Sequence, residues 1–328
     1  MTTASPEPHY SASTVEDGSR HTDLFTAKRV FTAEGLKSGH GAGTIAWLPA
    51  PAYEMPPVPW QPPQQPPVIA LLDSGVQPHD WLPQGGDVPF VVDAASKYQW
   101  PAPALHQPAP PHKPAPPPGV PRPFYGSHFG HATFIAGLIH RQAPDAQILS
   151  MQVMNNAGQV SPDHVVKALT WLAKHPETGV RIVLMCFGRP AESGDADLNR
   201  LRKAIAGLNQ MPIVCSAGND GSDHTVYPAA LAAEQKLHVT SVGAFTTPTE
   251  RAPYSNYGPW VQEWRKGTNL VSTMPLTTTD IGKNGAERQA ASGTPDVSAT
   301  GNGYAWWSGT SFAAALYAAG LAKQMSAG

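Results

Sequence analysis

The sequence predicts an α/β domain: a mostly parallel central sheet with helices on both faces. Three observations carry that expectation. From residue 67 onward, short apolar runs alternate with longer segments of helical periodicity. The first run, Val68–Leu72, is apolar throughout, as a strand buried on both faces is. It stops at Asp73-Ser74-Gly75, and a later run stops at Gly218-Asn219-Asp220-Gly221. Turn sequences at the carboxyl ends of such strands are where open α/β sheets bind ligands.

Residues 1–66 precede this pattern and differ from it. The first 23 residues are mostly polar, and Pro49–Pro67 contains nine prolines. Proline lacks the N–H and fixes φ, so this density excludes helices and interior strands. The segment reads as an N-terminal extension with one short ordered piece around Leu24–Leu36 and a polyproline-like tether. Residues 67–328 form the catalytic domain of this reading. A second proline-dense stretch, 101–123, holds 11 prolines and reads as a solvated insertion within it. Either proline-rich segment offers a docking surface for a polyproline-reading partner.

Within 67–328, His131–Arg141 reads as a helix, Gln147–Met154 as a strand and Asn155–Gly158 as a turn. The next helix has Ser161 at its N-cap and Pro162 at its first position, with Val165, Val166, Leu169 and Leu172 at helical spacing. Arg181–Phe187 reads as a strand and Ala196–Leu208 as a helix. Ile213–Ala217 and Leu237–Ala244 read as strands, and Gly309–Met325 as an Ala-rich helix.

Composition narrows the partners. A formal net charge of -2 gives no reason to expect nucleic acid or an anionic membrane surface. No apolar run approaches the roughly 20 residues that span a bilayer. Residues 1–20 have neither a basic nor an apolar signal region, so the chain reads as cytoplasmic. The two cysteines, Cys186 and Cys215, lie in apolar runs and read as buried free thiols. A disulfide stays open if their strands are neighbours.

Three residues sit in settings suited to a nucleophilic triad. Asp73 ends a strand, His131 opens a helix between Gly130 and Ala132, and Ser311 lies at a helix start among small residues. Small neighbours let a substrate backbone approach the hydroxyl, and a helix N-terminus supplies oriented N–H groups. Asn219, in a Gly-rich turn after a strand, is a candidate oxyanion donor. Each residue also has a plain reading, as a turn aspartate, a surface histidine, a helix cap and a turn asparagine. His128 and His131 form a possible metal pair, but no third ligand stands at useful spacing.

Together the motifs resemble the subtilisin-like serine proteases over roughly residues 67–325. Asp73-Ser74-Gly75 resembles the family's D-[ST]-G. His131-Ala132-Thr133-Phe134-Ile135-Ala136-Gly137 resembles H-G-T-H-V-A-G, and Gly309-Thr310-Ser311-Phe312-Ala313-Ala314-Ala315 resembles G-T-S-M-A-A-P. Asn219 follows Ala217-Gly218 as the family asparagine follows A-G. Tyr227-Pro228-Ala229, Ser255-Asn256-Tyr257-Gly258 and Ser272-Thr273-Met274-Pro275 are similar to family scaffold segments. The resemblance implies a triad of Asp73, His131 and Ser311, an oxyanion hole at Asn219, and substrate pairing along Cys186, Phe187 and Gly188. It implies a peptide or protein substrate and no cofactor. Ala132, Phe134 and Ala315 depart from the family pattern, and only 17 residues follow Ser311. No calcium loop is evident; the region of Asp195 and Asp197 lacks the required ligand alternation. The expected activity is a serine endopeptidase, with a precursor peptide as a candidate substrate. A peptide ligase or macrocyclase on the same site, or a silent binding scaffold, are the alternatives.

Overall fold

A computed structural model of the chain describes residues 64–103, 128, 130–155, 158–191, 194–275 and 301–327, together with two short strands before them. Those strands are β1 (Phe31–Thr32) and β2 (Ala46–Pro49). The body begins with β3 (Val68–Asp73), β4 (Val91–Asp93) and the short helix α1 (Ala94–Tyr98). There follow α2 (His131–Gln142), β5 (Gln147–Gln152), β6 (Gln159–Val160), α3 (Pro162–Lys174), β7 (Val180–Met185) and α4 (Ala196–Ala206). Next are β8 (Ile213–Ser216), β9 (Val239–Thr247), β10 (Glu250–Arg251) and β11 (Glu263–Lys266). The chain ends with β12 (Leu270–Thr273), β13 (Gly301–Trp307) and α5 (Thr310–Ala327).

Eight strands form the central sheet in the order β10-β9-β8-β7-β3-β5-β4, with β11 also on β9. Only β10 runs antiparallel; every other pairing in this sheet is parallel. The α/β architecture expected from the sequence is therefore present. Side chains alternate across β3. Val68, Ala70 and Leu72 enter the core under α3 and α4, while Ile69 and Leu71 enter the core under α2 and α5. Each fully withdrawn aliphatic side chain contributes about 1.5–3 kcal/mol, and β3 is buried along its whole length. β5 pairs on one side of β3 and β7 on the other. The carboxyl end of β3, at Asp73, is thus the point where the chain switches direction across the sheet, the usual place for a binding crevice.

α5 is buried around most of its circumference, with Ala313, Ala314, Ala315, Ala318, Ala319 and Ala322 fully covered. Alanine suits this position because it propagates a helix at no rotamer cost and permits close approach. A similar close approach fixes α2. A Cβ on Gly137 would lie 2.3 Å from Thr273 Oγ1 and 2.4 Å from Ser272 Oγ. Those hydroxyls donate instead to backbone carbonyls of α2, Thr273 to Thr133 O and Ser272 to Phe134 O, both at 2.7 Å.

Several expectations are sharpened. Ser161 is the N-cap of α3 and Pro162 its first residue, but the serine side chain makes no capping bond. The cysteines lie on neighbouring strands but face opposite cores, Cys186 with α2 and α5, Cys215 with α3 and α4. Both are free, so the open question of a disulfide closes against it. β1 falls inside the stretch expected to be ordered, whereas β2 was not expected. β2 pairs antiparallel with β13 and places Pro49 at its last residue, where a strand tolerates proline. The insertion beyond residue 103, most of the Pro49–Pro67 stretch, and any docking through them lie outside the described residues. Among the described residues no helix is long and apolar enough to cross a membrane.

Candidate active site

Asp73 is the last residue of β3 and is fully buried. The Ser74 N–H donates to its Oδ1 at 2.7 Å. Ser74 Oγ accepts from the Ala132 N–H at 3.3 Å, and Thr133 Oγ1 accepts from the Gln77 N–H at 2.9 Å. The loop after β3 is in this way tied to the first turn of α2. Gly130, the N-cap of α2, has φ +78°, and a Cβ there would lie 2.6 Å from Pro275 and 2.8 Å from Met274. Only glycine fits that entry. His131 follows it, and its Nδ1 lies 3.0 Å from both carboxylate oxygens of Asp73.

Around the imidazole stand aromatic rings, with centroids at 5.5 Å for His128, 5.4 Å for Trp307 and 5.6 Å for Phe312. Phe134 packs on Trp307 and Phe312 in turn. The residue that departs most from the family pattern in the histidine motif therefore serves this aromatic wall. His131 Nε2 is buried and has no hydrogen-bond partner among the described residues.

Ser311 is the second residue of α5 and fully buried. Its Oγ donates to Cys186 O at 3.5 Å, a long bond, and Cys186 Sγ donates to Ser311 O at 3.5 Å. The serine thus docks on the carboxyl end of β7, next to β3. The carboxylate–imidazole bond is formed, whereas the hydroxyl is turned to Cys186 rather than to His131. Burial, then the charge of nearby Asp73, pushes the Cys186 thiol well above its ordinary value; burial does the same to Cys215. Neither thiol is poised as a nucleophile.

Asn219 is fully buried in the loop after β8, three residues beyond the strand. Its Oδ1 accepts from the Thr310 N–H at 2.8 Å and from Thr310 Oγ1 at 2.9 Å, while Thr310 Oγ1 accepts from the Gly218 N–H at 3.2 Å. That grip leaves Asn219 Nδ2 buried without a partner among the described residues. Asn256 shapes the same loop. Its Oδ1 accepts from the N–H groups of Asp220 and Ser222, and its Nδ2 donates to Ala217 O. Gly218, at φ +100°, has no room for a Cβ, which would lie 2.4 Å from Asn256 Nδ2.

Cys186, Phe187 and Gly188 follow β7. Phe187 is packed in the core with α3 and α4, and Gly188 lies against Val226. The roles of Thr310, Asn256 and Val226 were not assigned from sequence. Thr310 and Asn256 stand inside motifs noted there, but their partners are at least 91 and at least 34 residues away in the chain. Among the described residues no cluster of three or more His, Cys, Asp or Glu could hold a metal ion. Asp195 caps α4 and pairs with Arg189 at 2.7 Å, and Asp197 pairs with Arg200.

The chain matches the model of the subtilase family over residues 64–328. It belongs to the subtilase family. Subtilisin-like protease 1 of Arthroderma otae is 31% identical over 155 residues, covering 44% of this chain and 30% of that protein. The thermophilic serine proteinase of Bacillus sp. (strain AK1) is 28% identical over 198 residues, covering 60% and 39%. This subtilase therefore spans well under half the length of those two relatives. Subtilisin Savinase of Lederbergia lenta is 25% identical over 221 residues, covering 64% and 67%. Among solved structures, a cold-adapted subtilisin-like serine proteinase matches with TM-score 0.51 at 18% identity, covering 79% and 76% of the two chains. The prenylagaramide maturation protease PagA matches with TM-score 0.51 at 20% identity, covering 80% and 76%. A lanthipeptide protease matches with TM-score 0.50 at 21% identity, covering 78% and 72%. At these identities the structural likeness establishes the fold.

Proposed function

We propose that this subtilase is a serine endopeptidase in which Ser311 is the nucleophile, His131 the general base, Asp73 the carboxylate that orients it, and Asn219 an oxyanion donor. One observation carries the reading. His131 Nε2 and Asn219 Nδ2 are both fully buried, held in place by bonds at their other ends, and left without partners among the described residues. A buried polar atom without a partner costs about 1–3 kcal/mol, and a substrate carbonyl and the serine hydroxyl would supply both missing bonds in the transition state.

The chemistry follows from the geometry. The Ser311 hydroxyl leaves Cys186 O by rotation about its side-chain bond and gives its proton to His131 Nε2 as Oγ attacks the peptide carbonyl. Asp73 accepts from Nδ1–H, which fixes the tautomer that leaves Nε2 free to accept, and balances the imidazolium that forms. Asn219 Nδ2 and the Ser311 N–H receive the charge on the carbonyl oxygen. The protonated imidazole then protonates the leaving amine, and water releases the acyl group by the reverse sequence. Cys186 to Gly188 offers backbone to an extended substrate.

A processing role on a precursor peptide, in the cytoplasm where such precursors are made, fits the fold's likeness to proteases named for lanthipeptide and prenylagaramide maturation. The test is labelling of the full chain with an alkyl fluorophosphonate, beside Ser311→Ala, and mass spectrometry of peptide products. Labelling confined to the wild type, with linear products, supports the endopeptidase. Cyclic or ligated products move the assignment to transpeptidation. Absence of labelling on the wild type overturns it.

A further inference from the structure

Beyond Ser311 the segments that leave β7 and β8 run side by side, and each presents a glycine to the space between them. Gly188 comes from the first and Gly218 from the second. Two facing glycines ordinarily leave a slot for a side chain. Here the slot is filled from within. A Cβ built on Gly188 would lie 2.4 Å from Val226 Cγ1, and one on Gly218 would lie 3.6 Å from Val226 Cγ2. Val226 thus closes tightly against Gly188 and stands at ordinary contact distance from Gly218, where a Cβ would meet Asn256 Nδ2 first, at 2.4 Å. Its position is fixed by the following residue, whose backbone bridges to the first segment: Arg189 N–H donates to Tyr227 O at 3.0 Å and Tyr227 N–H to Arg189 O at 2.8 Å. Val226 is 6% exposed and packed in the core with Phe187 and Ala217, so it cannot swing aside without opening a cavity.

The slot matters because of what borders it. Cys186, at the mouth of the first wall, accepts the Ser311 hydroxyl, and Asn219 directly follows Gly218 on the second. Under the proposed assignment, a peptide carbonyl with its carbon at Ser311 Oγ and its oxygen at Asn219 Nδ2 would send its own residue's side chain between these walls. We infer that Val226 limits the residue on the acyl side of the cleaved bond to a small side chain, glycine, alanine or serine. This inference rests on the proposed assignment of Ser311 and Asn219.

The test uses the full chain and peptidyl phosphonates whose phosphorus carries either an alanine or a phenylalanine side chain, with a plain alkyl fluorophosphonate as a probe of Ser311 itself. A few methylenes in or out of a pocket shift selectivity by about 10–200-fold. The wild type is expected to react at least about tenfold faster with the alanine probe. Val226→Gly is expected to raise the phenylalanine-to-alanine rate ratio about tenfold or more, each rate being divided by that variant's own rate with the plain fluorophosphonate. Val226→Ala gives the same trend, smaller, if the glycine variant fails to fold. Equal wild-type rates with both probes, or an unchanged ratio in a folded variant, overturn the inference. Loss of reaction with the plain fluorophosphonate in the wild type would instead sink the assignment of Ser311.

Discussion

Replacing Asn219 with alanine separates two consequences that the structure makes distinct. The first concerns the folded state. Oδ1 accepts from the Thr310 N–H at 2.8 Å and the Thr310 hydroxyl at 2.9 Å, so alanine strands two buried donors. At about 1–3 kcal/mol for each stranded group, with the hydroxyl free to rotate, the loss of stability is about 2–4 kcal/mol. The second concerns turnover. Nδ2 has no partner at rest, so its bond forms only with developing charge, and its removal falls on kcat rather than KM. Removing one such donor costs about 10²–10³ in turnover, a magnitude measured in subtilisin rather than worked out from this chain. Thr310→Val provides the graded partner. It keeps the backbone bond to Oδ1 but deletes the hydroxyl's bond to Oδ1 and the acceptor of the Gly218 N–H; the lost orientation of Asn219, about 1 kcal/mol, corresponds to about three- to tenfold in kcat. The assay is steady-state hydrolysis of a peptide that the wild type cleaves, with urea midpoints measured in parallel to show that both variants are folded. An Asn219→Ala enzyme that keeps more than a tenth of the wild-type kcat, or that loses its efficiency wholly through KM, refutes the assignment.

Two other perturbations test the scaffold beneath the site. Gly137→Ala drives a methyl into Thr273 and Ser272 and breaks the two bonds that hold α2 to β12; urea unfolding is expected to show a loss of about 2–4 kcal/mol, and a change below about 0.5 kcal/mol would mean that β12 yields freely. His79 bridges the loop after β3 to β13: its Nε2 donates to Gly303 O at 2.9 Å and its Nδ1 accepts from the Trp81 N–H at 3.0 Å. Burial lowers its pKa against weaker upward pulls from the Gly303 bond and Asp80, so the unfolded chain takes the proton first as pH falls. Its contribution is therefore present above about 6.5 and lost below it. The urea midpoint of the wild type should fall more steeply between about pH 7.5 and 5 than that of His79→Gln, and parallel curves would remove His79 as the cause.

The long elements and the placement of Asp73, His131 and Ser311 at element ends could be read from sequence because each is announced locally. β3 is an unbroken apolar run ending at Asp73, α3 has its proline at the first position, and α5 is a run of alanines. What stayed hidden depends on partners distant in the chain. β4 and α1 together span only eight residues, too few for a period to declare itself, although Asp93 caps α1 through the Ala95 and Ser96 N–H groups. β12 and β13 are short strands whose pairing spans residues 276–300. The orientation of the Asn219 amide is set by Thr310, and the filling of the slot beside Gly188 is set by Val226. Neither has a signature of its own, since a valine or a threonine reads the same whether it lines a core or shapes a site. Cys186 gave an apolar signal and is apolar in fact, but its backbone carbonyl, which sequence cannot weight, is what receives the serine.

The portion that matches the family begins at residue 64, yet β2, at Ala46–Pro49, lies before it and closes the outer margin of β13. Beside that margin Trp306 remains 42% exposed. Trimming the chain to the family portion would bare a line of unsatisfied amides and carbonyls next to an indole, the combination by which separate molecules zip together and precipitate. β2 therefore covers an edge that the family portion alone would leave open, and shortening the chain at the homology boundary is expected to favour self-association through that edge.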